Sequence, residues 1–171
     1  NLKNLIKFSL KKFSPIKIEF VFSNNKKAVG LKYAKAKEIN TLCYNNKKTP
    51  IFENYLLKVL KKKKISFICL AGFMKILSSN FLKKFKGKII NIHPSLLPKY
   101  KGLNTHSRVI KNKENYTGCT VHFVSSKLDS GKIILQKKIK IIKKENAKNL
   151  AKRVLLQEHK IYPKAIMKIF S

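Results

Sequence analysis

The sequence predicts an α/β fold, a Rossmann-like, mostly parallel twisted sheet with helices on both faces. Three observations carry that reading. Short β-branched and aromatic runs alternate with amphipathic segments at the spacing of βαβ units. The run "ISFICLAG" (65 to 72) is almost wholly apolar, as a central parallel strand covered on both faces must be. At 171 residues and 44% hydrophobic, the chain has length for one domain with a genuine core, assigned to residues 1–171 as a whole.

The elements follow in order. Leu2, Leu5, Ile6 and Leu10 recur at helical spacing over residues 2 to 12. "IKIEFVF" (16 to 22) reads as a strand and "SNN" (23 to 25) as its turn. Residues 28 to 39 read as a helix, and "TLCY" (41 to 44) as a short strand. "IFENYLLKVLKKKK" (51 to 64) is an amphipathic helix whose closing lysines suit the negative end of its dipole. After "ISFICLAG" come a short helix near 79 to 85 and the strand "KIINIH" (88 to 93), which runs into a loop stiffened by Pro94 and Pro98. A helix near 104 to 112, strands near 117 to 124 and 132 to 142, and a long helix from 146 to 169 complete the chain. Pro163 is expected to disturb that last helix, because it lacks the N–H of an intrahelical bond.

Composition narrows the function classes. The net charge is +33, yet of 40 basic residues only Arg108 and Arg153 are arginine. Lysines spread along the whole chain attract polyanions through phosphates, but base readout favours the planar guanidinium. The charge pattern therefore reads as solvated positions under an A/T-rich coding bias, with no specific nucleic-acid partner. No apolar run reaches the length of a membrane span, and no leader peptide opens the chain. Cys43, Cys69 and Cys119 are odd in number and widely spaced, which fits buried thiols in a reducing cytoplasm. The four histidines show no metal-ligand spacing with an acidic or cysteine partner, so no metal is expected.

In open α/β sheets ligands bind beyond the carboxyl ends of strands, where Asn91 and His93 fall. Asp129, the only aspartate, lies in "KLDSG" between two strands; taken alone, it is good turn chemistry. Taken with Asn91 and His93 it supplies an amide, an imidazole and a carboxylate. Amide and imidazolium could donate to an oxyanion, and the carboxylate could hold the imidazole and accept a proton. His122, between Val121 and Phe123, reads as a satisfied, half-buried strand histidine.

"AGFMKILS" (71 to 78), "NIHPSLLPKYKG" (91 to 102), "TGCTVHFVSSKLDSGKIILQ" (117 to 136) and "QEHKIYP" (157 to 163) together resemble the glycinamide ribonucleotide formyltransferases of the folate-dependent formyltransferase family. The resemblance runs from Asn1 to about Ile169. It implies a formyltransferase-type sheet and formyl transfer from 10-formyltetrahydrofolate, the cosubstrate, to the amine of glycinamide ribonucleotide. It assigns catalysis to Asn91, His93 and Asp129. It places the folate against Met74, Lys75, Ile76 and Leu77 and against Ser125, Ser126, Lys127 and Leu128. It places the ribonucleotide at Asn1, Pro94 and Glu158. By its own surroundings in sequence Glu158 would read as a solvated helix acid.

Members of that family begin with a strand and a Gly-rich loop that receives the substrate phosphate at a helix N-terminus. Here "NLKNLI" stands where that loop ends, so the chain reads as N-terminally truncated, with the first strand missing. Lys75 stands where arginine is common and Leu155 where a polar residue is common. Two readings compete with the purine-pathway enzyme: a formyltetrahydrofolate hydrolase using the same three residues, and a non-catalytic basic nucleic-acid-binding protein. A methionyl-tRNA formyltransferase would need a second domain.

Overall fold

The computed structural model describes residues 1–44 and 48–171, which divide into two compact units. Its sheets are mixed, with helices on both sides. Among the described residues no helix is long and apolar enough to cross a membrane.

One unit comprises Leu2–Ile68 and Gly72–Lys88. It holds α1 (Leu2–Ser9), β1 (Phe20–Ser23), α2 (Val29–Lys35), β2 (Asn40–Cys43), α3 (Thr49–Lys62), the start of β3 (Phe67–Leu70) and α4 (Ser79–Lys84). β1 and β2 pair in parallel, with Phe20 opposite Asn40 and Ser23 opposite Cys43. Helix α1 buries Leu5 and Ile6 of the expected stripe and adds Phe8, while Leu2 is half-buried and Leu10, past the helix end, is exposed. Phe52 is buried on α3 and meets Phe22 edge-on, ring centroids 5.3 Å apart. A buried acid on α3 has a local explanation. Glu53 accepts from the Ser78 backbone N–H at 2.7 Å and from the Ser78 hydroxyl, and Ser78 Oγ accepts from Phe81 N to cap α4.

The other unit comprises Asn1, Cys69–Ala71 and Ile89–Ser171. It holds β4 (Lys88–His93) from Ile89 onward, α5 (Thr105–Lys111), β5 (Tyr116–Phe123), β6 (Ile133–Lys140) and α6 (Ala147–Phe170). The sheet order is β3-β4-β5-β6. Strand β3 thus ends the order and is half-buried along its length, where the apolar run led us to expect a central strand covered on both faces. The β4–β5 and β5–β6 pairs are antiparallel. Helix α6 runs unbroken through Pro163, contrary to expectation. Its inner face buries Leu150, Val154, Ile161, Tyr162, Ala165 and Ile166, each large side chain worth about 1.5–3 kcal/mol. That burial outweighs one missing backbone donor. Tyr162 is fully buried, and its hydroxyl donates to Leu70 O at 2.8 Å.

Two elements are least well placed by sequence: the helix expected over 28 to 39 ends at Lys35, with residues 36–38 in a turn, and the first strand begins late. "IKIEFVF" pairs only from Phe20, and residues 16–19 carry no regular structure. By contrast, "KIINIH" coincides with β4.

Candidate active site

Period-two alternation puts Asn91 and His93 on one face of β4, and Thr120 and His122 on one face of β5. The antiparallel register sets Asn91 opposite His122 and His93 opposite Thr120. A register shift between Val121 and His122 marks β5 at this point. Asp129 arrives from the β5–β6 connection in the left-handed region, with φ +43°. Gly131 makes that turn possible. A Cβ there would lie 1.7 Å from the Phe123 carbonyl oxygen, a backbone atom that cannot move aside cheaply.

These elements bring His93 and Asp129 together, with Nδ1 3.3 Å from Oδ2 and the side chains only 6% and 9% exposed. The other ring nitrogen, Nε2, lies 2.8 Å from the Tyr100 carbonyl oxygen. Both ring nitrogens therefore face oxygen atoms, which fixes the plane of the imidazole. Asp129 Oδ2 also accepts from Gly102 N at 2.9 Å. The carboxylate is thereby held from two sides.

His122 is buried as expected, and its Nδ1 lies 2.9 Å from the Phe123 carbonyl. Its Nε2 lies 3.5 Å from Asn91 Nδ2 and 3.7 Å from Asp129 Oδ1. Burial pushes this imidazole below the ordinary histidine value, against the raising effects of the Phe123 carbonyl and the Asp129 charge. A neutral ring that donates from Nδ1 leaves Nε2 as an acceptor for the Asn91 amide, an assignment made from its partners. One N–H of Asn91 is then aimed at His122 and the other is left for a ligand.

The loop after His93 is tied down from β5. Thr120 is fully buried and its hydroxyl makes three bonds. It donates to Ser95 O at 2.7 Å and accepts from Leu97 N at 3.1 Å and from Gln136 Nε2 at 2.8 Å. Gln136 Nε2 also donates to Leu97 O. Amide, imidazole and carboxylate therefore converge on a rigid strand end, the arrangement needed to treat an acyl carbon.

The sequence matches the family described as formyl transferase over residues 1–166. The chain belongs to the formyl transferase family. It is 42% identical to the phosphoribosylglycinamide formyltransferase of Haemophilus influenzae, over 89% of this chain and 73% of that protein. It is 41% identical to the trifunctional purine biosynthetic protein adenosine-3 of Homo sapiens, over 100% of this chain and 17% of that protein. The chain thus spans between 11% and 17% of the length of the trifunctional relatives it matches. Among solved structures, phosphoribosylglycinamide formyltransferase from Brucella melitensis is similar with a TM-score of 0.92 and 37% identity, covering 98% of this chain and 88% of that one.

In this member of the family the remaining expected residues fall into two groups. Glu158 is 7% exposed, not the solvated helix acid that its neighbours suggest, and it accepts from Asn1 Nδ2 at 2.6 Å. Burial raises its carboxyl above the ordinary range, and the Asn1 hydrogen bond partly opposes this. Pro94 is half-buried beside His93. Ser125, Ser126, Lys127 and Leu128 form the turn leading to Asp129, where Ser125 Oγ donates to Lys127 O and Leu128 is exposed. Met74, Lys75, Ile76 and Leu77 lie in the other unit. There Met74 and Ile76 are exposed, Leu77 is buried, and Lys75 Nζ sits 5.1 Å from the Phe52 ring centroid.

Sequence reasoning missed three contributors: the Tyr100 carbonyl, the Gly102 amide and the His122 Nε2. The two backbone groups left no signal in residue identity. His122 did leave one, since it shares a strand face with Thr120, but only the register reveals Asn91 opposite.

Proposed function

We propose that the chain transfers a formyl group from 10-formyltetrahydrofolate to the amine of glycinamide ribonucleotide, as a step of purine biosynthesis in the cytoplasm. Family membership supports the formyl chemistry, and the relatives' names support the acceptor. The single observation that carries the mechanism is the buried pair of His93 and Asp129 at 3.3 Å, with Asn91 beside it on β4.

In this reading the amine attacks the formyl carbon directly, and no covalent enzyme intermediate forms. Asn91 Nδ2 donates its free N–H to the oxyanion of the tetrahedral intermediate, a good donor being worth roughly 3–4 kcal/mol, and the His93 ring, with Nδ1 on Asp129 and Nε2 on the Tyr100 carbonyl, lends its dipole beside it. Asp129 holds the His93 ring in place and takes the amine's proton, directly or through water, for a factor of about 10² to 10⁴. Collapse of the intermediate breaks the bond from the formyl carbon to the folate nitrogen, which leaves with the proton that Asp129 took from the amine. Ser125 to Leu128, adjoining Asp129 in the same unit, are assigned to the formyl donor. The contacts expected of residues 74–77 rest on the family resemblance alone. Glu158, buried and held by Asn1, is assigned to the glycinamide end, where an ammonium or amide N–H would satisfy its carboxylate.

The experiment measures formyl release from 10-formyltetrahydrofolate by the intact protein, with and without glycinamide ribonucleotide. Release that requires the ribonucleotide is expected. Ribonucleotide-independent release would move the assignment to a hydrolase. No release in either case would sink both.

A further inference from the structure

We propose that Arg108 and Tyr100 are positioning residues, holding His93 and Asp129 in register through one short backbone strap, residues 100–104. This rests on the formyl-transfer reading for its catalytic consequence, though not for its geometry.

The strap is conformationally costly. Tyr100, Gly102 and Asn104 all have positive φ, at +57°, +77° and +56°. Glycine adopts that region freely and asparagine tolerates it, but tyrosine does so only when its surroundings impose it. What the strained backbone achieves is visible in its two polar contacts. The Tyr100 carbonyl meets His93 Nε2 at 2.8 Å, and the Gly102 amide donates to Asp129 Oδ2 at 2.9 Å. One strap therefore touches both members of the pair. A shift of its backbone would move the imidazole and the carboxylate relative to each other.

Side chains far from the chemistry impose that conformation. The Tyr100 hydroxyl donates to Glu114 Oε1 at 2.9 Å and accepts from Asn112 Nδ2 at 3.0 Å. Arg108, on α5, donates from Nη1 to the Lys101 carbonyl at 2.6 Å and lies 3.4 Å from the Leu103 carbonyl. Its guanidinium also sits over the Tyr100 ring, 5.4 Å from the centroid. Arg108 is exposed, and its contacts go to the strap. In a chain that places lysine at nearly every basic position, one of only two arginines stands here. A planar fork can reach carbonyls and stack on a ring together; an ammonium cannot.

The test uses the intact protein with 15N-labelled histidine, comparing wild type with Arg108→Lys and Tyr100→Phe. Both substitutions are on partly solvated positions, and each keeps either the charge or the ring. Long-range 1H–15N spectra should show the His93 ring resonances shifted in both variants. Turnover should fall about 10-fold with KM for either substrate within about 2-fold, as expected for misplacement of reacting groups. Ring resonances at their wild-type positions in both variants would overturn the proposal, whatever the rates. Shifted resonances with unchanged turnover would equally overturn it. If the wild type transfers no formyl group at all, the functional reading fails, and the His93 resonances still report whether the strap holds the ring.

Discussion

Asp129 Oδ2 is shared between a side chain and a backbone: it lies 3.3 Å from His93 Nδ1 and accepts from Gly102 N at 2.9 Å. The other oxygen, Oδ1, faces His122 Nε2 at 3.7 Å. This asymmetry makes the carboxylate's charge separable from its geometry.

Asp129→Asn exploits that separation. An amide oxygen in the place of Oδ2 can still accept from Gly102 and His93. The amide nitrogen, in the place of Oδ1, would face His122 Nε2 at the 3.7 Å of the carboxylate oxygen, beside the Asn91 amide that Nε2 already accepts from. The variant should therefore fold and bind the folate normally. It lacks the charge and the proton acceptor, so turnover should fall at least about 100-fold. Steady-state kinetics with a folate titration checks this, and near-wild-type turnover would remove Asp129 from the chemistry.

Thr120 tests how the loop after His93 is held. Its hydroxyl is saturated by Ser95 O, Leu97 N and Gln136 Nε2, and the site is fully buried. Thr120→Val keeps the shape and strands the Leu97 donor, which should cost roughly 2–3 kcal/mol of stability. Thr120→Ser keeps the hydroxyl and loses a methyl, for about 1 kcal/mol. Urea unfolding of the two variants should rank them in that order. Equal losses would show that the hydroxyl does not tie the loop.

How far the sequence reached follows from what each signal encodes. β4 was legible to the residue because Lys88 and Pro94 bracket a short run built on Ile89, Ile90 and Ile92. β1 was not, since "IKIEFVF" has the alternation of a strand, but its first half finds no partner among the described pairings. Helix α6 was placed to within a residue at each end, while its passage through Pro163 depended on packing that no local pattern states. The catalytic candidates were legible as chemistry at strand ends, and their convergence was carried by resemblance. The contacts that hold them come from Tyr100 O and Gly102 N, backbone atoms set by positive φ values, of which glycine gives a hint and tyrosine none. Glu158 shows the same limit from the other side. Its neighbours in sequence are polar, and only tertiary packing buries it.

That burial gives Glu158 a pH signature of determinate sign. Desolvation, first among the causes, raises its carboxyl above the ordinary value of 4.5, and the Asn1 hydrogen bond reduces the shift without cancelling it. Between 4.5 and the raised value the native state therefore holds more protons at this site than the unfolded chain. Stability then falls as pH rises through that window and is level on either side of it. Glu158→Gln retains an oxygen to accept from Asn1 Nδ2 and has no proton to lose. Buried histidines such as His122, which burial shifts downward, contribute an opposing slope in both chains and cancel in the comparison. The stability advantage of Glu158→Gln over wild type should therefore grow with pH across the window and then level off. Urea unfolding of both chains at a series of pH values measures that difference. A difference that stays flat, or shrinks as pH rises, would mean that the carboxyl is not desolvated in the native state, and the case for its binding an amine would lose its physical basis.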